Sequence, residues 1–224
     1  MGALKRCAAV AALIALQSMW TPALAATALV NVSTSANAGD AALVSQIASR
    51  LARANGVRAH FTQTQTLAAM KAPLVSTGSL LFFRERGVIW QVETPYRKTW
   101  IMRDSGVTVI DATGQRIQSS AAQGARGAAE IAKMMRAMLG GDLSGLYSQF
   151  DVAARGTPSQ WQMHLVPRQP QIAQALRGIE MEGGDFLHSL RITFANGDVT
   201  QYDFSGSAQV SELAPTDQKL FGTP

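Results

Sequence analysis

Cysteine is almost absent: the one copy in 224 residues, Cys7, sits at the start of an N-terminal apolar run. That run, roughly residues 8–19, follows Lys5 and Arg6, and Ala23-Leu24-Ala25 supplies the small-x-small pattern that a signal peptidase accepts. It is shorter than the about 20 apolar residues that a membrane-spanning helix needs. The expectation is cleavage after Ala25 and release of residues 26–224. A lipid-bearing cysteine would follow the apolar run at the cleavage point, whereas Cys7 precedes it, so no lipid tether is expected. Cleavage leaves no cysteine, which excludes disulfides, thiolate metal sites and a cysteine nucleophile in the mature chain.

Charge in blocks is missing too. Lys5 and Arg6 leave with the signal segment and no acid goes with them, so the formal charge falls from +5 to +3. The remaining cations are scattered, without the Lys/Arg cluster that a nucleic-acid partner requires. The histidines, His60, His164 and His188, stand far apart and match no metal-binding spacing. His188 lies near Asp185, but no Gly-x-Ser-x-Gly elbow supplies a nucleophile for them. Glu180 and Glu182 share a strand face as a solvated pair, Glu85 and Glu93 adjoin turns, and no P-loop or dinucleotide fingerprint occurs. No catalytic residue, metal or cofactor is therefore assigned, and a binding role is expected over an enzymatic one.

What is present reads as one β-rich domain over residues 40–224, behind a disordered leader at 26–39 that is small and polar. Leu43, Val44, Ile47 and Leu51 recur at helical spacing. With Asp40 as cap and Gly56 as stop they predict a helix over about 41–54. The period then shifts toward two: Phe61, Gln63 and Gln65 alternate with Thr62, Thr64 and Thr66. Strands are expected at about 78–85, 87–94, 98–103 and 106–110, and again at 149–154, 160–166, 177–182, 186–195 and 198–205. Asn196-Gly197 is the clearest hairpin turn. Between the two groups, residues 128–139 read as a methionine-rich helix that Gly140-Gly141 ends. The order implies antiparallel meanders, mainly β with helices.

The positive signal is apolar. Leu80 and Phe82 share a strand face with Arg84, and Val88, Trp90 and Val92 share a face of the next strand. A filled core explains most of these positions. It explains less well a basic residue continuing an apolar row, or the gathering of Met102, Met134, Met135 and Met138, a residue type that adapts to ligands of varied shape. Cavity and filled core both stay open at this point.

The order and spacing of several motifs resemble the periplasmic lipoprotein carrier family LolA. Phe61-Thr62-Gln63 matches its first-strand Phe-x-Gln, and Ser76-Thr77-Gly78-Ser79-Leu80 its Ser-x-Gly-x-Leu. Arg84, Trp90 and Pro95 keep the spacing of its Arg, Trp and Pro. In the second half, Trp161 to Pro167, Ile179, Leu190-Arg191-Ile192, Asn196-Gly197 and Thr200 continue the likeness, which covers about 40–205. Glu85 replaces the Pro of the family's Arg-Pro pair, and Val107 to Ala112 replaces its aromatic-rich strand, so the chain resembles a divergent member.

The resemblance implies an incomplete antiparallel β-barrel with an N-terminal helix, a helical lid and an apolar concave face. By position, Arg84 would latch the lid. Leu80, Phe82, Val88, Trp90 and Val92 would line the cavity, with Met134, Met135 and Met138 beneath the lid. The cargo would be an acylated lipoprotein or another lipid, taken by a monomer from an inner-membrane donor transporter to an outer-membrane acceptor. The competing expectations are a filled-core protein-interaction module, which predicts no cavity, and a lipid hydrolase, which needs a Ser or His beside a pocket.

Overall fold

The computed structural model of the chain describes residues 31–103, 105–118 and 144–222. A helix, α1 (Asn31–Leu51), leads into β1 (Gly56–Thr66), β2 (Leu74–Phe83), β3 (Gly87–Thr94), β4 (Lys98–Arg103), β5 (Gly106–Ile110) and β6 (Arg116–Gln118). The second half holds α2 (Ser144–Gln149), β7 (Phe150–Thr157), β8 (Gln160–Pro167), the single turn α3 (Pro170–Ala173), β9 (Leu176–Gly183), β10 (Leu187–Phe194), β11 (Val199–Val210) and α4 (Pro215–Phe221). The strands form one eleven-stranded sheet in the order β6-β5-β4-β3-β2-β1-β11-β10-β9-β8-β7. Every pairing is antiparallel, so the sheet is two meanders joined along β1 and β11. Among the described residues β6 and β7 each pair on one side only, and the sheet does not close into a barrel.

Alternation sorts the side chains into two faces. On one face Phe61, Leu80, Phe82, Val88 and Trp90 join Met163, Leu165, Met181 and Leu190 in a single buried cluster that spans both meanders. Val44, Ile47 and Leu51 of α1 belong to the same cluster, so the helix covers this face. Phe61 and Trp90 meet with ring centroids 4.3 Å apart, and Tyr202 stands edge-on to Trp90 at 5.3 Å. Each large side chain buried here contributes on the order of 1.5–3 kcal/mol. On the opposite face, a smaller cluster of Leu81, Ile89 and Ile101 is covered by Phe221 of α4.

Several element bounds differ from the sequence reading, for identifiable reasons. The helix begins at Asn31, so the expected leader is helical from there on and Asp40 lies inside α1 instead of capping it. The apolar period that signals a helix requires a buried face, and it starts only where Val44 and Ile47 reach the sheet. Gly56 does not end the helix; it opens β1. A Cβ there would stand 2.7 Å from the Phe83 ring and 2.9 Å from the Phe82 carbonyl oxygen, so close strand packing explains the glycine. The second strand, β2, starts at Leu74 and ends at Phe83 instead of running over 78–85, which leaves Arg84 in the turn. The short β6, α3 and α4 carry too few residues to show a period. The Asn196-Gly197 hairpin is present, with Gly197 at φ +90° and the Phe194 N–H donating to Asp198 at 2.9 Å.

Candidate functional site

The sequence-assigned cavity residues on β2 and β3 do come together. Leu80 lies opposite Trp90, Phe82 opposite Val88, and Gly78 opposite Val92. All five apolar side chains are buried in the cluster that α1 covers. Gly78 explains the Ser-x-Gly-x-Leu motif. A Cβ at that position would stand 2.0 Å from the Gln91 carbonyl oxygen and 2.7 Å from Cζ of Phe61, so only glycine lets the Phe61 ring cross the strand. Met134, Met135 and Met138, and the helix expected over 128–139, lie outside the described residues.

Arg84 sits where β2 turns toward β3 and reaches back to the end of α1. Its guanidinium donates to the carbonyl oxygen of Ala52 at 2.5 Å and to that of Ala54 at 3.3 Å. Its own N–H donates to the Asn55 carbonyl at 2.8 Å. The last carbonyls of a helix have no partner within the helix and carry partial negative charge, so a cation is well placed there. A second polar contact holds the same region: Arg50, in the last turn of α1, pairs with Asp185 at 2.5 Å across the β9–β10 turn. Asp185 is thus engaged by Arg50 and not by His188.

Beneath these two contacts is an apolar cavity of about 50 Å³, lined by Leu51, Ala54, Val57, Leu80, Phe186 and Phe204 among others. Pockets that hold drug-sized ligands run to roughly 300–1,000 Å³. The space here suits a few carbon atoms at most, and the described residues show α1 seated on the apolar face. Of the sequence-assigned residues that are described, only Leu80 borders this cavity. Arg50 and Phe186 were not singled out from sequence, and Asp185 was weighed only as a neighbour of His188. Arg50 and Asp185 are 135 positions apart, and no spacing rule connects them.

Among the described residues no group of three or more His, Cys, Asp or Glu could hold a metal ion. The groove on the outer face of β7, β8 and β9, about 240 Å³, presents Arg155, Gln162, His164 and Glu180 to solvent. Burial pushes the Tyr202 hydroxyl up to about 12, and desolvation, with the Asp40 charge second, raises that of Tyr147. No described helix is long and apolar enough to cross a membrane.

Comparison with known proteins adds the family. No curated protein matches the chain. Among solved structures, a LolA superfamily protein from Nitrosomonas europaea superposes with a TM-score of 0.46 at 10% identity, over 81% of this chain and 98% of that one. A chain of the Pseudomonas aeruginosa MucA/MucB complex gives 0.47 at 14% identity, over 81% of this chain and 61% of that one. A domain from Vibrio parahaemolyticus described as a putative outer membrane lipoprotein-sorting protein gives 0.42 at 9% identity, over 81% and 99%. The family described as outer membrane lipoprotein carrier protein LolA-like matches residues 33–220, most of the chain, and the chain belongs to it.

Proposed function

We propose that the protein is a periplasmic carrier: it binds acyl chains of lipoproteins or of other lipids on the apolar face of its sheet and passes them toward the outer membrane. The observation that carries this reading is a continuous apolar face covered by α1, with Leu146 of α2 in the same cluster, the end of α1 being held by Arg84 and by the Arg50–Asp185 pair. An acyl chain in water costs about 0.8 kcal/mol per exposed methylene, so a sixteen-carbon chain costs on the order of 10 kcal/mol. A carrier must offset that cost and still release its load. A cover held by a few polar bonds provides two states of similar energy, closed and empty or open and loaded. Loading displaces the α1 end, breaks the Arg84 bonds and exposes Leu80, Phe82, Val88, Trp90 and Val92 to the chain. Reclosure favours release to an acceptor with a stronger apolar site.

On this reading the first 25 residues are a cleaved signal, the carrier is a monomer, its donor is an inner-membrane transporter and its acceptor lies in the outer membrane. Binding, not catalysis, is the activity. One observation favours a second reading: a cavity of only about 50 Å³ also suits a filled-core module that binds protein. Native mass spectrometry of protein recovered from the periplasm, with titration of a fluorescent acyl probe, separates the two. A stoichiometric acylated molecule, or saturable probe binding, supports the carrier. An empty protein that fails to bind the probe rejects it.

A further inference from the structure

Of the large apolar side chains that stay exposed, four lie on β2, the loop before it and the β3–β4 loop, while Ile117 and Val166 stand near opposite edges of the sheet. Among the described residues the whole set is Met70, Leu74, Val75, Tyr96, Ile117 and Val166. Register places all of them toward the end of the sheet that carries the Asn196-Gly197 hairpin. Leu74 and Val75 pair with Gln65 and Thr64 near the end of β1, Ile117 with Val109 near the end of β5, and Val166 with Asp151 at the start of β7. Met70 lies in the β1–β2 loop. Tyr96 lies in the β3–β4 loop at the same end and is 82% exposed. The opposite end, with Arg84 and the Arg50–Asp185 pair, exposes no large apolar side chain among the described residues. Single exposed hydrophobics are ordinary, but a concentration of them marks an interaction site.

The charged residues next to Met70 and Tyr96 in the chain are all basic. Lys71 follows Met70, and Arg97 and Lys98 follow Tyr96. Lys71 and Arg97 have no partner among the described residues, and Lys98 Nζ lies 5.3 Å from the centre of the Trp100 ring. The neighbouring carboxylates are all engaged. Asp111 accepts from the hydroxyl and N–H of Thr113, Asp198 from the Ala68 N–H, Glu93 from Ser79, and Asp151 pairs with Arg168. Asp151 alone of these has a cationic partner, and Lys71 and Arg97 stand as unpaired cations among the described residues, beside exposed Met70 and Tyr96.

We propose that this end docks on an anionic membrane surface. Met70, Leu74 and Tyr96 enter the headgroup layer while Lys71, Arg97 and Lys98 meet lipid phosphates. Tyr is favoured at that depth because its ring is apolar and its hydroxyl wet, and basic residues gain from the negative surface potential. A protein partner fits less well, because lysine is depleted from protein interfaces and the apolar residues here ride on separate loops and strand ends without a groove. Docking by this end leaves the latched end of α1 facing away from the bilayer. The inference does not depend on acyl binding, so the two can fail separately.

The test is vesicle flotation of protein recovered from the periplasm, with phosphatidylcholine alone and with phosphatidylglycerol added. Binding to the anionic vesicles only is expected, weakening as salt rises. The Lys71→Glu/Arg97→Glu double variant should lose at least about tenfold in vesicle affinity, and Tyr96→Ser several-fold. Both should keep the parent's melting curve and acyl-probe binding, because these side chains are exposed. No vesicle binding, equal binding to both compositions, or anionic binding that the variants leave unmoved overturns the proposal. Capture of a periplasmic protein through the same residues without vesicle binding overturns it as well.

Discussion

Replacing Arg84 by leucine tests whether the end of α1 is a latch or merely part of a core. Of its two side-chain bonds, the one to Ala52 at 2.5 Å is short and the one to Ala54 at 3.3 Å is near the limit of a hydrogen bond. Counting the short bond alone, a charged donor to a backbone carbonyl is worth about 1.5–3 kcal/mol. A cation on a helix C-terminus adds some tenths of a kcal/mol. A loss of roughly 2–3 kcal/mol from the closed state changes the closed-to-open ratio by about 30- to 150-fold. Apparent affinity scales with the fraction that is competent to bind, so an acyl probe should bind Arg84→Leu more tightly by about that factor while the closed state still dominates the parent. Release to a competing acceptor should slow in step. Probe titration, a release assay and amide exchange along α1 measure the three quantities together. Arg84→Lys, which keeps the charge but not the fork, should fall between. If α1 exchanges faster in Arg84→Leu while probe affinity and release stay at the parent's values, α1 is structural and the latch is refuted.

Two further expectations concern the apolar face itself. Gly78→Ala sets a methyl group 2.0 Å from the Gln91 carbonyl oxygen, which the sheet cannot move aside, and should cost about 3 kcal/mol in a denaturant melt; an unchanged midpoint would show that the strand yields there. Tyr202 is held neutral in the fold up to about pH 12 by burial, against an ordinary value of 10.0. Its raised folded value gives stability that is full below about pH 10 and lost as pH rises toward 12, on the order of 2–3 kcal/mol. Tyr202→Phe should flatten that part of the alkaline stability profile, and a slope equal to the parent's would assign the loss to other groups.

The strands were legible because each meander strand alternates locally and ends on a local turn. Trp90, Val88 and Val92 read as one face from sequence and are one face in the structure. The α1 signal was legible only from Leu43 onward, where Val44 and Ile47 are buried; the upstream turns of the helix carry no apolar period. Arg84 stood out because a basic residue continued an apolar row, and the turn position resolves that oddity: its side chain leaves the row to reach Ala52. The cavity was not legible. Leu51, Val57, Phe186 and Phe204 come from four separate segments, and the Arg50–Asp185 pair that rims it depends on how α1 crosses the sheet. The outer cluster was hidden for a related reason, since Phe221 meets Leu81 and Ile101 only after the whole sheet is in place.

The seam between β1 and β11 has a consequence for the time order of folding. Gly56 pairs with Val210 and Thr66 with Val199, so the middle of the sheet joins the two most distant stretches of the chain, while neighbours on either side form from local hairpins. Contacts of high sequence separation form late because their loop-closure entropy is not offset until much else is ordered. A folding chain would first hold two half-sheets, each with an unpaired inner strand whose backbone edge invites foreign pairing. The stretch from Thr62 to Thr66, with threonine at every second position, then presents polar side chains along one such edge, which keeps that edge wet until its own partner arrives.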